Sequence, residues 1–133
     1  MPKPILTRAV RVTAPDRTGA LKEVLTPIAE SKVNLEAFQA FTTGGRASFF
    51  LVPEPPAYTA MITTLRKGNV TFEEVECVGV ELENRPGQAG WATNALATAD
   101  INIEACFSST LPNARTRAFF VTNDNPGAVK ALG

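Results

Sequence analysis

Hydrophobic residues near the start of the chain first alternate with polar ones and then recur at helical spacing. Residues 5–13 place Val10 and Val12 on one side of an extended segment, a pattern typical of a β-strand. After the turn Asp16-Arg17-Thr18-Gly19, apolar side chains return every three or four residues, at Leu21, Val24, Leu25 and Ile28. This spacing predicts a strand followed by an amphipathic helix.

The next apolar segments favour a hairpin. Residues 33–42 and 46–53 are rich in apolar, β-branched and aromatic residues, and Thr43-Gly44-Gly45 lies between them. This composition predicts two strands joined by a turn with positive φ at the glycines. The remaining elements of this half are a helix that begins at Pro55 or Pro56 and ends at Gly68, and a strand over residues 70–76.

The second half of the chain repeats the first. A shift of 68 residues places Asp16-Arg17-Thr18-Gly19 on Asn84-Arg85-Pro86-Gly87 and residues 33–37 on residues 101–105 without a gap. A shift of 70 then aligns Phe49-Phe50 with Phe119-Phe120, which predicts two extra residues in the second hairpin turn. The predicted elements of this half are a strand over 77–83, a helix over 86–99, strands over 101–109 and 116–122, and a helix that begins at Pro126.

The order β-α-β-β-α-β predicts a ferredoxin-like α+β fold, with a four-stranded sheet covered by two helices on one face. We expect two such modules in tandem, at residues 1–75 and 76–133. The second repeat stops before a fourth strand, so one edge of its sheet lacks a neighbour unless another segment or chain covers it. Phe50 and Phe120 also make both faces of their strands apolar, which predicts sheet packing or a homo-oligomer, most simply a dimer.

Composition excludes several classes of function. Thirteen basic and thirteen acidic residues are scattered along the chain, so nucleic acid is not an expected partner. The apolar runs are far shorter than the roughly 20 residues that span a bilayer, and Met-Pro-Lys-Pro lacks the apolar core of a signal peptide, so we expect a cytoplasmic protein.

Catalytic chemistry is not expected either. The chain has no histidine, and its two cysteines, Cys77 and Cys106, lack metal-binding spacing. We interpret both as buried reduced thiols. With no nucleophile motif, metal cluster or cofactor loop, the sequence predicts no catalytic residue, no cofactor and no metal site.

The two turns are the first candidate sites. In each repeat a strand leads through Asp16–Gly19 or Asn84–Gly87 directly into a helix, whose first backbone N–H groups can bind an anion such as a carboxylate. These groups belong to Ala20 and Leu21 in the first repeat and to Gln88 and Ala89 in the second. The alternative is that Asp16 and Asn84 only cap the helices and the glycines only serve the turns.

Asn34 and Asn102 are the second candidates, because each lies at the start of the strand after the helix. An amide offers a donor and an acceptor, as recognition of an ammonium and a carboxylate requires. The alternative is an edge asparagine that bonds solvent, and the spacing leaves both interpretations open.

The stretch Leu82-Glu83-Asn84-Arg85-Pro86-Gly87, followed by Asn102, resembles the signature of the ACT domain, and the first repeat resembles it again. The resemblance is strongest to the serine-responsive ACT domain of phosphoglycerate dehydrogenases. It implies that Asn84 and Asn102 bind an effector across a domain interface, with Asp16 and Asn34 at the matching positions. That family has a histidine two residues before the turn asparagine, where this chain has Leu82.

We therefore expect a regulatory protein that binds an amino acid between ACT modules and acts on its own assembly or on an unidentified enzyme. Trp91 is a candidate contact between modules or chains. The alternative is an oligomerisation scaffold that binds no ligand. The predicted ligand-binding residues are Asp16, Thr18, Gly19, Ala20, Leu21, Asn34, Asn84, Pro86, Gly87, Gln88, Ala89 and Asn102.

Overall fold

The computed structural model describes residues 3–109 and 115–133. The fold is α+β, and its strand pairs β1–β3, β2–β3, β4–β6 and β5–β6 are antiparallel. The elements in chain order are β1 (Ile5–Pro15), α1 (Ala20–Glu30), β2 (Leu35–Thr43), β3 (Arg46–Pro53), a short 3-10 helix (Pro55–Ala57), α2 (Tyr58–Lys67), β4 (Phe72–Leu82), α3 (Gln88–Thr98), β5 (Ile103–Ser109), β6 (Thr116–Thr122) and α4 (Asn125–Leu132).

The hairpin turn and the helices lie where the sequence predicts them. Gly44 and Gly45 have φ angles of 59° and 78°, so both occupy the left-handed region that the turn requires. One difference concerns the middle of the chain, where strands were expected over 70–76 and 77–83. These two segments form the single strand β4, because no turn residue separates them.

The chain divides into two compact units. One unit is Arg8–Val75, and the other combines residues 3–7 with Glu76–Gly133. The expected modules were 1–75 and 76–133, but residues 3–7 lie with the second half of the chain. We call these the first unit and the second unit.

The first unit has the strand order β2-β3-β1-β4, in which β4 contributes its opening residues. Val12 on β1 lies opposite Phe49 on β3, and Phe49 lies opposite Ala40 on β2. The apolar face of this sheet packs against α1 and α2. The buried core contains Val10, Val12, Ala20, Val24, Ile28, Val33, Ala47, Phe49, Leu51, Tyr58, Met61, Ile62 and Leu65.

The second unit has the strand order β1-β4-β6-β5, and the opening residues of β1 occupy the edge position that the sequence left vacant. A Cβ built on Gly79 of β4 would lie 3.8 Å from Ile5 Cγ1, which places Ile5 beside that strand. A segment of the same chain thus lies at the edge where a last strand was missing. The buried core contains Val78, Val80, Leu82, Ala92, Leu96, Ile101, Ala118, Phe120, Ala128 and Leu132.

Two expectations about buried side chains need correction. Phe50 is only 5% exposed within the single chain, and Phe120 belongs to the helix-facing core of the second unit. Neither residue therefore requires a second copy to cover it. Cys77 is buried as expected, whereas Cys106 is exposed because it lies on the edge strand β5.

The strand register also corrects the alignment of the two hairpins. Val12 lies opposite Phe49, and Val80, the repeat counterpart of Val12, lies opposite Ala118. Phe49 therefore corresponds to Ala118, an offset of 69 residues and not the expected 70. The second hairpin turn, where inserted residues were expected, falls at residues 110–114 and lies outside the described residues.

Candidate ligand-binding site

Both predicted turns lead into helices that begin at a left-handed glycine. Gly19 has a φ of 87° and Gly87 a φ of 91°, a conformation that favours glycine. Within the described part of the chain, no side chain caps α1 or α3 at this end. The first backbone N–H groups of these helices are therefore not occupied by a capping side chain.

The two helix starts differ in their surroundings. In the first unit the Ala20 N–H donates to the Arg17 carbonyl oxygen at 3.2 Å, so the predicted role of Ala20 as an anion donor is not supported. The first turn of α1 also carries Glu23, whereas the first turn of α3 carries no acidic residue. Because a negative side chain opposes an anion at a helix start, α3 is the better of the two for a carboxylate.

A pocket of about 360 Å³ opens beside the start of α3. It lies between the turn that follows β4, the first two turns of α3, and strands β5 and β6. We call it the α3 pocket. Its lining residues are Leu82, Glu83, Asn84, Arg85, Gln88, Ala89, Thr93, Cys106, Phe107, Ser108, Thr116, Ala118 and Phe120.

The first unit has a hollow of about 490 Å³ at the corresponding place, which is larger than the α3 pocket but more open to solvent. We call it the α1 hollow. Its lining residues are Asp16, Arg17, Gly19, Ala20, Leu21, Lys22, Ala40, Phe41, Thr42, Ala47 and Phe49.

Side-chain size explains why one is a pocket and the other a hollow. Phe49 lies opposite Val12 in the first unit, and the smaller Ala118 takes that place opposite Val80 in the second. Counted from the glycine before each helix, Leu21 corresponds to Ala89 and Leu25 to Thr93. Leu21 and Leu25 pack against the core of the first unit, so the second unit has open space where the first has leucine and phenylalanine side chains.

Charged groups at each turn pair locally. At the mouth of the α3 pocket, Arg85 donates to the Glu83 carboxylate, and this hydrogen bond holds the pKa of Glu83 below its usual value. In the first unit, Arg17 pairs with Glu23, and their hydrogen bond lowers the pKa of Glu23 and raises that of Arg17. All four side chains are about half exposed, so these pairs contribute little to stability but set the local charge.

The twelve predicted site residues fall into four groups, of which the pair Asn34 and Asn102 is the last. The α3 pocket brings together Asn84, Gln88 and Ala89, and the α1 hollow brings together Asp16, Gly19, Ala20 and Leu21. Neither set of lining residues includes the exposed turn residues Thr18, Pro86 and Gly87.

Asn34 and Asn102 lie at the other ends of their helices. The Asn34 side-chain amide donates to Glu54 Oε1 at 2.7 Å, and the Asn102 N–H donates to Asn123 Oδ1 at 3.0 Å. Helix α3 has 11 residues, and at 1.5 Å per residue it is about 16 Å long. Asn84 and Asn102 of the second unit are therefore not neighbours within that unit.

Sequence reasoning missed the floor of the α3 pocket. Ser108, Thr116 and Ala118 lie on its β5 and β6 side, and no turn motif marks them. The available signal was the run of small residues on α3, which includes Ala89, Ala92 and Ala95. These small residues indicate a pocket only once the strand register is known, because the register places Ala118 where the first unit has Phe49.

Two further findings on the described residues concern metal clusters and membrane-spanning helices. Residues 3–109 and 115–133 contain no group of three or more His, Cys, Asp or Glu side chains arranged to hold a metal ion. Over the same ranges, every helix is too short or too polar to cross a membrane.

Comparisons with known proteins agree with this architecture. Residues 8–67 match the family model of the ACT domain. No curated protein sequence matches the chain. A solved protein of Bacteroides thetaiotaomicron shares the fold with a TM-score of 0.86 at 16% identity, over 97% of this chain and 88% of that chain.

Two regulatory subunits of aspartate kinase are also similar in structure. The ligand-free subunit from Thermus thermophilus has a TM-score of 0.68 at 15% identity, over 97% of this chain and 93% of that chain. The subunit from Thermus flavus has a TM-score of 0.63 at 16% identity, over 98% of this chain and 94% of that chain. The chain therefore has an α+β ACT-like fold, with residues 8–67 matching the ACT domain family.

Proposed function

We propose that this protein is a regulatory protein that binds an amino acid in the α3 pocket of the second unit. The observation that carries the proposal is the pocket itself, which places an uncapped helix start beside small and hydroxyl-bearing side chains. A pocket of about 360 Å³ lies at the small end of the range found for ligand sites. It suits a ligand of amino-acid size.

The lining supplies partners for both charged ends of an amino acid. The effector carboxylate accepts hydrogen bonds from the first N–H groups of α3, at Gln88 and Ala89, and from the amide of Asn84. The ammonium group lies toward the carboxylate of Glu83 and the hydroxyl of Ser108. In this arrangement the helix dipole and Glu83 act on opposite ends of the ligand.

We also propose that both units are ACT modules. The family match covers residues 8–67 of the first unit. Support for the second comes from its strand order, which repeats that of the first when the opening residues of β1 are counted as its last strand. Its helix α3 also begins, like α1, at a left-handed glycine after a short turn.

A homodimer would complete the site with Asn102. Strand β5 is an edge strand of its unit, so its outer backbone groups are able to pair with a second copy. If two β5 strands pair antiparallel about Cys106, Ser109 of one copy faces Ile103 of the other. Asn102 of the partner subunit then lies near the pocket, next to Ser108 and Ser109.

Regulation follows from this arrangement. An effector that contacts both copies binds the dimer more tightly than the monomer. It therefore shifts the monomer–dimer equilibrium toward the dimer, to an extent set by that difference in affinity. The dimer then presents a surface to an enzyme that it regulates. Trp91, which is exposed on α3, is our candidate for such a contact.

Thermal unfolding and calorimetry with a panel of the common amino acids test the proposal. An effector raises the unfolding temperature by mass action, whereas a scaffold that binds no ligand shows no shift with any amino acid. The variant Ala89→Leu fills the pocket with the side chain that the first unit has there, and it should abolish binding. Ala97→Leu makes the same change at an exposed position further along α3 and should bind like the wild type.

A further inference from the structure

The inner wall of the α3 pocket is apolar. Leu82, Ala118 and Phe120 line it and are at most 5% exposed. Ala89 adds a methyl group from the helix side. The hydroxyl of Thr93 donates to the Ala89 carbonyl oxygen at 3.0 Å, so its proton is already used within α3. A ligand side chain that enters past the turn therefore meets mainly carbon.

Charge is confined to the mouth. Among the described residues that line the pocket, only Glu83 and Arg85 are charged, and they pair with each other. A ligand with an acidic or basic side chain would lose hydration against the inner wall, where Leu82, Ala118 and Phe120 offer no counter-charge. An uncharged side chain carries no such cost.

The α3 pocket occupies the region where the first unit has large apolar side chains. In the first unit, Phe49, Leu21 and Leu25 stand where the second unit has Ala118, Ala89 and Thr93. The room left by these smaller residues lies next to the buried core of the second unit, so an apolar group that fills it is removed from water.

Resting on the function proposed above, we propose that the effector is an amino acid with an uncharged, apolar side chain, and that Ala118 sets the size of the side chain admitted. The ligand supplies the apolar volume that Phe49 and the two leucines supply in the first unit. Ala118 is thus a specificity-determining residue, whereas the turn residues bind the groups common to all amino acids.

Calorimetry on the wild-type protein decides the ligand class. Leucine, isoleucine, valine, methionine and phenylalanine represent the proposed class, and serine, aspartate, glutamate, lysine and arginine represent the rest. We expect the best apolar amino acid to bind at least about tenfold more tightly than any polar one. If serine or a charged amino acid bound as tightly as the best apolar one, and Ala89→Leu abolished that binding, this inference would be overturned. The proposed function would still stand. Binding of no amino acid would overturn both.

A second experiment tests the role of Ala118. Ala118→Val adds two methyl groups to the pocket wall, and it should weaken binding of leucine at least about tenfold while changing binding of alanine by less than about twofold. Ala105→Val makes the same change on the neighbouring strand β5, at a residue that does not line the pocket, and should leave both affinities unchanged. Thr93→Leu, at an exposed position of α3, narrows the pocket from the helix side and tests size selection without altering the buried strand. An unchanged leucine-to-alanine ratio in folded Ala118→Val and Thr93→Leu would refute size selection at this wall.

Discussion

The side-chain amide of Asn125, at the start of α4, donates to the carbonyl oxygen of Glu76 on β4 at 2.9 Å. The side-chain oxygen of Asn125 also accepts from the N–H and the hydroxyl of Thr122, at 3.0 and 2.8 Å. One asparagine thus joins α4 to two strands of the second unit. Nothing in the periodicity of the sequence marks it, because the contact with Glu76 joins residues that are far apart along the chain.

Removal of this amide should destabilise the protein. Asn125→Ala leaves the Glu76 carbonyl oxygen and the Thr122 donors without these partners, and we expect a loss of about 1–3 kcal/mol in the free energy of unfolding. Urea unfolding followed by circular dichroism measures this difference. Asn94→Ala, at an exposed position of α3, is the matched control and should change stability by less than about 0.5 kcal/mol. Equal stability of the two variants would show that α4 is not held by Asn125.

Local features of the fold were predictable, and pairings between distant segments were not. The apolar spacing from Leu21 to Ile28 predicted α1, and Gly44-Gly45 predicted the hairpin, because each depends on residues close in sequence. The position of Ile5 beside Gly79 depends on a pairing across most of the chain. No local pattern encodes that pairing.

The candidate site was predictable only in part for the same reason. Asn84 and Gln88 were found because a turn before a helix is a local motif. Ala118 was missed because its position depends on strand register, and an error of one residue moves a side chain to the other face of a sheet. The separation of Asn84 from Asn102 was in principle available from the sequence, since the helix between them has a fixed rise per residue.

Tyr58 provides a pH-dependent test of the first unit. Its burial, together with a hydrogen bond from its hydroxyl to Glu74, raises the pKa of Tyr58 to about 12. The pKa in the unfolded chain is about 10, so the neutral phenol is favoured in the folded state. This contribution to stability is complete below pH 10 and is lost as the pH rises through about 12.

Phenolate absorbance reports this titration cleanly, because Tyr58 is the only tyrosine in the chain. We expect a midpoint near 12 for the folded protein and near about 10 in concentrated urea. Glu74→Gln keeps a hydrogen-bond acceptor and removes the charge, so it should lower the folded-state pKa of Tyr58 but leave it above 10, since burial is the largest cause. Identical midpoints in folded and unfolded wild-type protein would contradict the buried position of Tyr58.

The proposed dimer makes its own prediction. Pairing of two β5 strands predicts a mass near twice 14.2 kDa at tens of micromolar protein, and a larger dimer fraction when the effector is present. Light scattering with and without the effector measures both. Glu104→Pro removes a backbone donor from β5 and should shift the protein toward monomer. Glu36→Pro, at the corresponding position of β2, should leave the β5 dimer intact. A monomer at every concentration, with effector present, would remove Asn102 of the partner subunit from the site.

Substitution of Asn34 and of Asn102 tests which of the two units binds the effector. Asn102 immediately precedes β5, and a second copy paired along β5 would bring it to the α3 pocket. Asn102→Ala should therefore weaken effector binding by about 1–3 kcal/mol, the cost of leaving a buried ligand group unpaired. The side chain of Asn34 is already held by Glu54 at 2.7 Å, and Asn34 does not line the more open α1 hollow. Asn34→Ala should therefore cost less binding free energy. Calorimetry on both variants, each shown by circular dichroism to be folded, decides the ranking. If Asn34→Ala abolished binding while Asn102→Ala bound like the wild type, the first unit would hold the effector, and the difference between Phe49 and Ala118 would have no part in it.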